Sequence, residues 1–167
     1  MRRLFFSLIL ITAAISADDD PLFLYKKALK AYEAKNFSEA KKLFESFVVT
    51  KPYEYEVRDA FFHIAAIQRR NKKYLDAIST YNLIQKRYPT SRYRKVNLFY
   101  LGESYFKIFI RHRAYYYLNE YLKKDRLPNK NLDLKIRTHN YLATIAKSKR
   151  QWKETITHDI LLSSLRI

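Results

Sequence analysis

The sequence predicts an all-α protein built as a solenoid of stacked helix-turn-helix hairpins, and three observations predict it. Small residues recur at a fixed step: Ala28, Ala65 and Gly102 stand 37 residues apart, and Ala143 follows after 41. A second small column, Ala40, Ala77, Ala114 and then Thr155, repeats in the same rhythm. Bulky residues keep step beside them, as Phe44, Tyr81 and Leu118, and as Phe47, Ile84, Tyr121 and Leu162. Self-similarity at a period of roughly 20 to 50 residues marks a repeat architecture, in which each unit buries its apolar face against its neighbours. Finally, Gly102 is the only glycine in 167 residues, so the turn chemistry that strand hairpins need is almost missing.

Each unit reads as two helices. Asp20-Pro21 supplies an N-cap followed by proline at the first helical position, and "LFLYKKALKAYEA" carries its apolar residues on one stripe. Asn36 restarts the chain, with Glu39 three residues later at capping-box spacing, so that each side chain can satisfy a backbone donor. The second helix, "FSEAKKLFESFVV", ends before Pro52, just as "YLDAISTYNLIQKRY" ends before Pro89. Proline disfavours helix in the residue before it, which closes both units. Four units are expected, near 21–54, 58–91, 95–128 and 136–167.

The order of small residue, tyrosine or phenylalanine, alanine, aromatic and proline resembles the tetratricopeptide repeat, and "LFYLGESYF" resembles its Leu-Gly-x-x-Tyr core. The resemblance implies a right-handed superhelical solenoid and a protein-binding role. The longer phrase "YPTSRYRKVNLFYLGESYF" is also similar to the Tyr-Pro-x-Ser…Leu-Gly-Glu-x-Tyr wording of bacterial envelope repeat proteins of the BamD and CpoB/YbgF type. Lys27, Arg111, Thr155 and Asp159 depart from the repeat pattern, the last two in the fourth unit. In this family the two helices of a hairpin cross closely at their small residues, so Gly102 is expected to face Ala114 or its neighbours. That contact explains a helix-interior glycine, which otherwise costs about 1 kcal/mol against alanine.

A different segment precedes the repeats. "MRR" is a basic start, "LFFSLILITAAI" is apolar, and "SADDD" offers small residues before acids, the order of a secretory signal peptide over 1–17. The apolar run of 12 falls short of the roughly 20 residues a membrane span needs. The chain has no cysteine, so neither a lipoprotein anchor nor a disulfide framework is available. The domain expected is therefore 18–167, exported to the periplasm and held by its core.

The sequence contains no glycine-rich phosphate loop, no Gly-x-Ser-x-Gly elbow and no Cys or His pair at metal-ligand spacing. No catalytic residue, metal or cofactor is expected. His63, His112, His139 and His158 are assigned to different repeats and read as solvated or hydrogen-bonded. The net charge is +17, and without Arg2 and Arg3 the balance is 31 basic to 16 acidic residues, or +15. The basic residues gather at the turns inside the hairpins: Arg69, Arg70, Lys72 and Lys73 in the second, Lys107, Arg111 and Arg113 in the third, Lys147, Lys149 and Arg150 in the fourth. Stacked repeats align equivalent turns, which predicts an exposed basic edge that attracts an anionic partner.

A second candidate surface is the concave groove lined by the first helix of each hairpin, which Tyr25, Tyr32, Phe62, Phe99 and Phe106 are placed to reach. Aromatic pockets with a basic flank suit a peptide of acidic character, although the same rings also suit gaps between adjacent repeats. Tyr25, Leu29, His63, Val96 and Tyr100 stand where related grooves carry the Lys, Asn and Arg of a terminal-carboxylate clamp, which argues against such a ligand. The expected function is a non-catalytic periplasmic scaffold in a cell-envelope assembly: outer-membrane assembly, Tol-Pal or division, or a motor or secretion apparatus. The alternative is a polyanion binder that uses the basic edge on lipid headgroups or on nucleic acid. Export argues against nucleic acid.

Overall fold

The left-handed turns are where this glycine-poor chain folds back on itself. Lys35, Lys72 and Phe109 all adopt positive φ, at 61°, 60° and 62°, and they too stand 37 residues apart. Each turn closes with the same backbone pair. Asn36 N–H donates to the Ala31 carbonyl and Lys35 N–H to Tyr32; Lys73 and Lys72 repeat this on Gln68 and Arg69, and Ile110 and Phe109 on Tyr105 and Phe106. This is the Schellman cap, which satisfies the carbonyls left open at a helix end. Glycine is the usual occupant, and a residue with a Cβ costs about 1–2 kcal/mol there. Among the described residues that cost is accepted at these three caps, and Asn131, before the seventh helix, also takes positive φ, at 57°.

The computed structural model describes residues 21–50, 54–125, 131–148 and 152–165. The signal segment 1–17, Lys149 and Arg150 lie outside these residues. Among the described residues eight helices follow in order: α1 (Pro21–Glu33), α2 (Phe37–Thr50), α3 (Glu54–Arg70), α4 (Tyr74–Arg87), α5 (Arg94–Lys107), α6 (Arg111–Lys124), α7 (Leu132–Ser148) and α8 (Trp152–Ser164). They pack as consecutive antiparallel pairs, each hairpin resting on the next through α2 on α3, α4 on α5 and α6 on α7; α5 also meets α7 directly. The result is the all-α solenoid that the repeat step predicts. Asn36 caps α2, its side chain accepting from Glu39 N–H at 3.4 Å, but the expected reciprocal half differs: the Glu39 carboxylate accepts from the Asn36 side-chain amide at 2.6 Å, because Asn36 N–H is already given to the Ala31 carbonyl.

The repeated columns form the core. Ala28, Ala65, Gly102 and Ala143 are buried, as are Ala40, Ala77 and Ala114, and so are Phe44, Tyr81 and Leu118. Phe47, Ile84, Tyr121 and Leu162 are buried beside them. Gly102 faces Leu118, one turn beyond Ala114. A Cβ on Gly102 would stand 2.6 Å from Leu118 Cγ, 2.8 Å from Cδ2 and 3.1 Å from the Leu118 backbone nitrogen. Neither Cγ nor the backbone can yield cheaply, so α5 and α6 approach as closely as they do only because this position lacks a side chain. Asn97 adds a polar tie between hairpins, its buried amide donating to the Tyr81 carbonyl of α4 at 2.9 Å.

Gly102→Ala is expected to destabilise the fold by about 1–3 kcal/mol despite the gain in helix propensity, since overpacking at Leu118 outweighs it. Leu118→Ala alone should cost about 2–5 kcal/mol. The double variant should cost clearly less than the sum, because the new methyl enters the space that Leu118 vacates. Chemical denaturation of the four proteins checks this.

Candidate functional site

Two buried carboxylates organise the face presented by the first helices. Asp59 on α3 accepts from Arg92 and, at 3.4 and 3.5 Å, from the hydroxyls of Tyr93 and Tyr25. Glu103 on α5 accepts from Arg69 at 2.7 Å, from the Tyr141 hydroxyl at 2.8 Å and from Arg137. Each acid therefore joins three consecutive hairpins: Tyr25 on α1 and Arg92–Tyr93 before α5 meet at Asp59, and Arg69 on α3 and Arg137–Tyr141 on α7 meet at Glu103. The spacing is regular, since Tyr25, Asp59 and Tyr93 are 34 residues apart in turn, as are Arg69, Glu103 and Arg137.

Burial of an acid is costly unless it is paired, and both acids are paired with cations that themselves keep contact with water. Burial pushes the Asp59 carboxyl up, against the pull of Arg92. Burial and Glu103 together push the Tyr141 hydroxyl up to about 12, so it remains a donor. The three cations also lie on rings: Arg69 over Tyr100 at 4.2 Å, Arg137 over Phe99 at 5.0 Å, and Arg92 over Tyr93 at 4.8 Å and Tyr55 at 5.3 Å. Arg92 is the most open of them, its side chain 55 % exposed. Such stacking holds each guanidinium in place and leaves its outer face for a partner.

The short turn that delivers Arg92 is legible in "YPTSRY". Ser91 is buried, its N–H donates to the Tyr88 carbonyl and its hydroxyl accepts from Tyr93 N–H at 3.2 Å. This directs Arg92 and Tyr93 back over α3.

The expected groove aromatics divide. Tyr25, Tyr32, Phe62 and Phe106 are half-buried on the first helices. Phe62 stacks on Tyr93 at 4.0 Å between ring centres, and Phe106 meets Tyr141 at 4.6 Å, so these rings also join one hairpin to the next. Phe99 does not line the groove. It is fully buried against Tyr121 and Tyr100, because α5 turns this position toward α6 and α7. The expected exposure of Arg69 is also corrected: Glu103 and Tyr100 draw it into the hairpin contact, and it belongs to the groove. Arg70, Lys72, Lys73, Lys107, Arg113 and Lys147 are exposed and Arg111 is half-buried. Arg70 lies over the Phe37 ring at 4.4 Å, and Lys147 reaches Asp159 at 3.7 Å. Sequence reasoning missed Asp59, Glu103, Arg92 and Arg137.

The histidines also need correcting. His139 and His158 share the last hairpin, and their Nδ1 atoms meet at 2.9 Å between α7 and α8, one donating to the other. Among the described residues no group of three or more His, Cys, Asp or Glu side chains converges as a metal site. Burial lowers both pKa values, with His158 and Lys135 adding to the effect at His139, while Glu154 and Asp159 oppose it at His158. His63, stacked on Phe44 at 5.1 Å, is lowered by burial and by Arg92 to about 4.

His63 and His139 are lowered to about 4 in the fold and His158 is lowered in the same direction, whereas histidines of the unfolded chain titrate near 6.5, so the unfolded chain binds more protons between about pH 6.5 and 4. Stability should therefore fall as the pH drops through that window. His63→Phe should flatten the fall while it keeps the ring stack, as melting temperature against pH will show. Glu103→Gln should cost roughly 2 kcal/mol in chemical denaturation, because Arg69 and Arg137 lose their shared counter-charge while part-exposed to water.

The Tetratricopeptide repeat family matches residues 59–91, which run from Asp59 within α3 through α4 to Ser91. No curated protein matches the sequence. Solved structures that share the fold include MamA 41-end from Desulfovibrio magneticus RS-1, with TM-score 0.70, 17% identity, 88% of this chain and 76% of that chain covered, and the MamA RS-1 ArsTM double mutant, with TM-score 0.72, 17% identity and coverage of 88% and 75%. At that identity the likeness is one of fold. A tetratricopeptide repeat is thus matched at the second hairpin, and the described residues stack as the tetratricopeptide-repeat-like all-α solenoid that these structures share.

Proposed function

We propose that this chain is a non-catalytic periplasmic adaptor that holds an acidic, extended segment of a cell-envelope protein along the first-helix groove. Repeat solenoids of this kind serve as protein-interaction scaffolds, which is the coarse part of the reading. One observation carries the finer part. Two acids of the groove, Asp59 and Glu103, are buried and already occupied, and the exposed Asp133 pairs with Arg137 at 3.6 Å, while the guanidiniums that occupy the buried pair lie on aromatic rings with Arg92 half open to solvent. A groove with its acids covered and its cations stacked favours carboxylates from outside, and the half-buried Tyr32, Phe62 and Phe106 offer apolar contact between them. The basic start, short apolar run and small-residue exit of residues 1–17 support a periplasmic location. Assemblies for outer-membrane insertion, Tol-Pal and division, or a motor or secretion apparatus are the settings in which such an adaptor would work.

The test is affinity capture from the periplasmic fraction of the native host, with wild type set beside Arg92→Gln and Phe106→Ser. Both variants should keep their helical circular dichroism. Arg92→Gln should slow association with the captured protein and weaken its salt dependence, whereas Phe106→Ser should act mainly by faster dissociation. Unchanged binding by both variants would move the partner off the groove.

A further inference from the structure

The three left-handed turns form a second surface that the groove reading does not use. Their residues Lys35, Lys72 and Phe109 occupy one structural position in successive hairpins. The turns lie side by side, since one cleft joins Phe37 and Lys73 across the first two and another joins Lys72, Lys73, Leu75 and Ile108 across the second and third. Phe109 is the anomaly. A large ring stands in a backbone conformation that suits glycine, yet it gains nothing from the core, being 78 % exposed. Leu75, across the cleft from Ile108, is 69 % exposed. Exposed Lys72 and Lys73 line the cleft beside Leu75, exposed Lys107 stands two residues before Phe109, and exposed Lys35 extends the row at the first turn. The acids nearby are Asp76, which lines the second cleft, Glu45, which lines the first and pairs with Lys41 at 2.5 Å, and Glu39, which is held by Asn36.

We propose that this turn edge docks on an anionic lipid surface, with Phe109 and Leu75 entering the headgroup layer and the lysines meeting lipid phosphates. An aligned row of turns presents apolar tips and ammonium groups together. A bilayer supplies hydrocarbon and negative charge in that same arrangement, and lysine stems lie along the apolar boundary while their charges stay in water. Local strain kept at an exposed position points to function rather than to packing. The surface is independent of the groove, so a protein segment and a membrane could be held at once.

The full chain is tested by sedimentation with vesicles of mixed phosphatidylglycerol and phosphatidylcholine, and with vesicles of phosphatidylcholine alone. The apolar N-terminal run contributes to both, so the difference between them reports the edge. Wild type should prefer the anionic vesicles, and the preference should shrink as salt rises. Phe109→Gly should lower anionic-vesicle affinity at least about tenfold while its melting temperature stays level or rises, since glycine relieves the turn. Serine at Lys72 and Lys73 should cost about fivefold each and flatten the salt response. Equal binding of wild type to both vesicles, or full affinity in Phe109→Gly, would overturn the proposal. So would loss of a captured protein from Phe109→Gly with vesicle binding intact, which would assign the edge to a protein partner.

Discussion

Glu103 is the interaction on which the later half of the solenoid depends. A carboxylate buried on α5 is tolerable only because α3 sends Arg69 and α7 sends Arg137 and Tyr141 to meet it. Those same contacts fix how far successive hairpins rotate on one another. Asp59 does the same one hairpin earlier with Arg92, Tyr93 and Tyr25. Hydrophobic columns stack the repeats, but stacking by apolar area is tolerant of sliding. The acids specify the register and, with it, the curvature of the groove.

Energetics and function meet in the arginines. Each one neutralises a buried acid on its inner side, rests on a ring, and turns its remaining surface outward. The groove is thus basic by construction, although it contains two buried acids and Asp133 beside Arg137. The turn edge reaches a basic surface by a different route, through exposed lysines at positions where the backbone would favour glycine. The two surfaces divide the work between recognition of a segment and attachment of the whole.

The repeat itself was readable because packing demands the same size at the same place in every hairpin. Ala65 and Gly102, or Tyr81 and Leu118, therefore announce the architecture without any relative for comparison. Phe99 misled for the converse reason: an aromatic on a first helix satisfies the pattern whether it faces the groove or the next hairpin, and only the packing of α6 and α7 decides. The carboxylate contacts were hidden because they link different columns. Glu103 takes the place that Ala66 holds one repeat earlier, so no column repeats it. Arg69 lies 34 residues before it, three short of the 37-residue step, and Tyr141 lies 38 after it, three short of the 41-residue step there, because adjacent first helices touch about one turn out of register. Arg137, 34 after it, reaches it from one turn further back. Pairs of opposite charge at that shorter spacing were the available signal. The turns were likewise concealed, since lysine at 35 and 72 and phenylalanine at 109 adopt the conformation without the glycine that would announce it.

The central claim is that buried acids couple neighbouring hairpins into one groove, and native-state hydrogen exchange tests it most directly. If Glu103 binds α3, α5 and α7 together, the slowest amides of those helices should open in one cooperative step with a common free energy. Repeats linked by apolar stacking alone would behave otherwise, opening in sequence from the end of the array. Independent opening of α7 and α8, well below the free energy at which α3 and α5 open, would contradict the account.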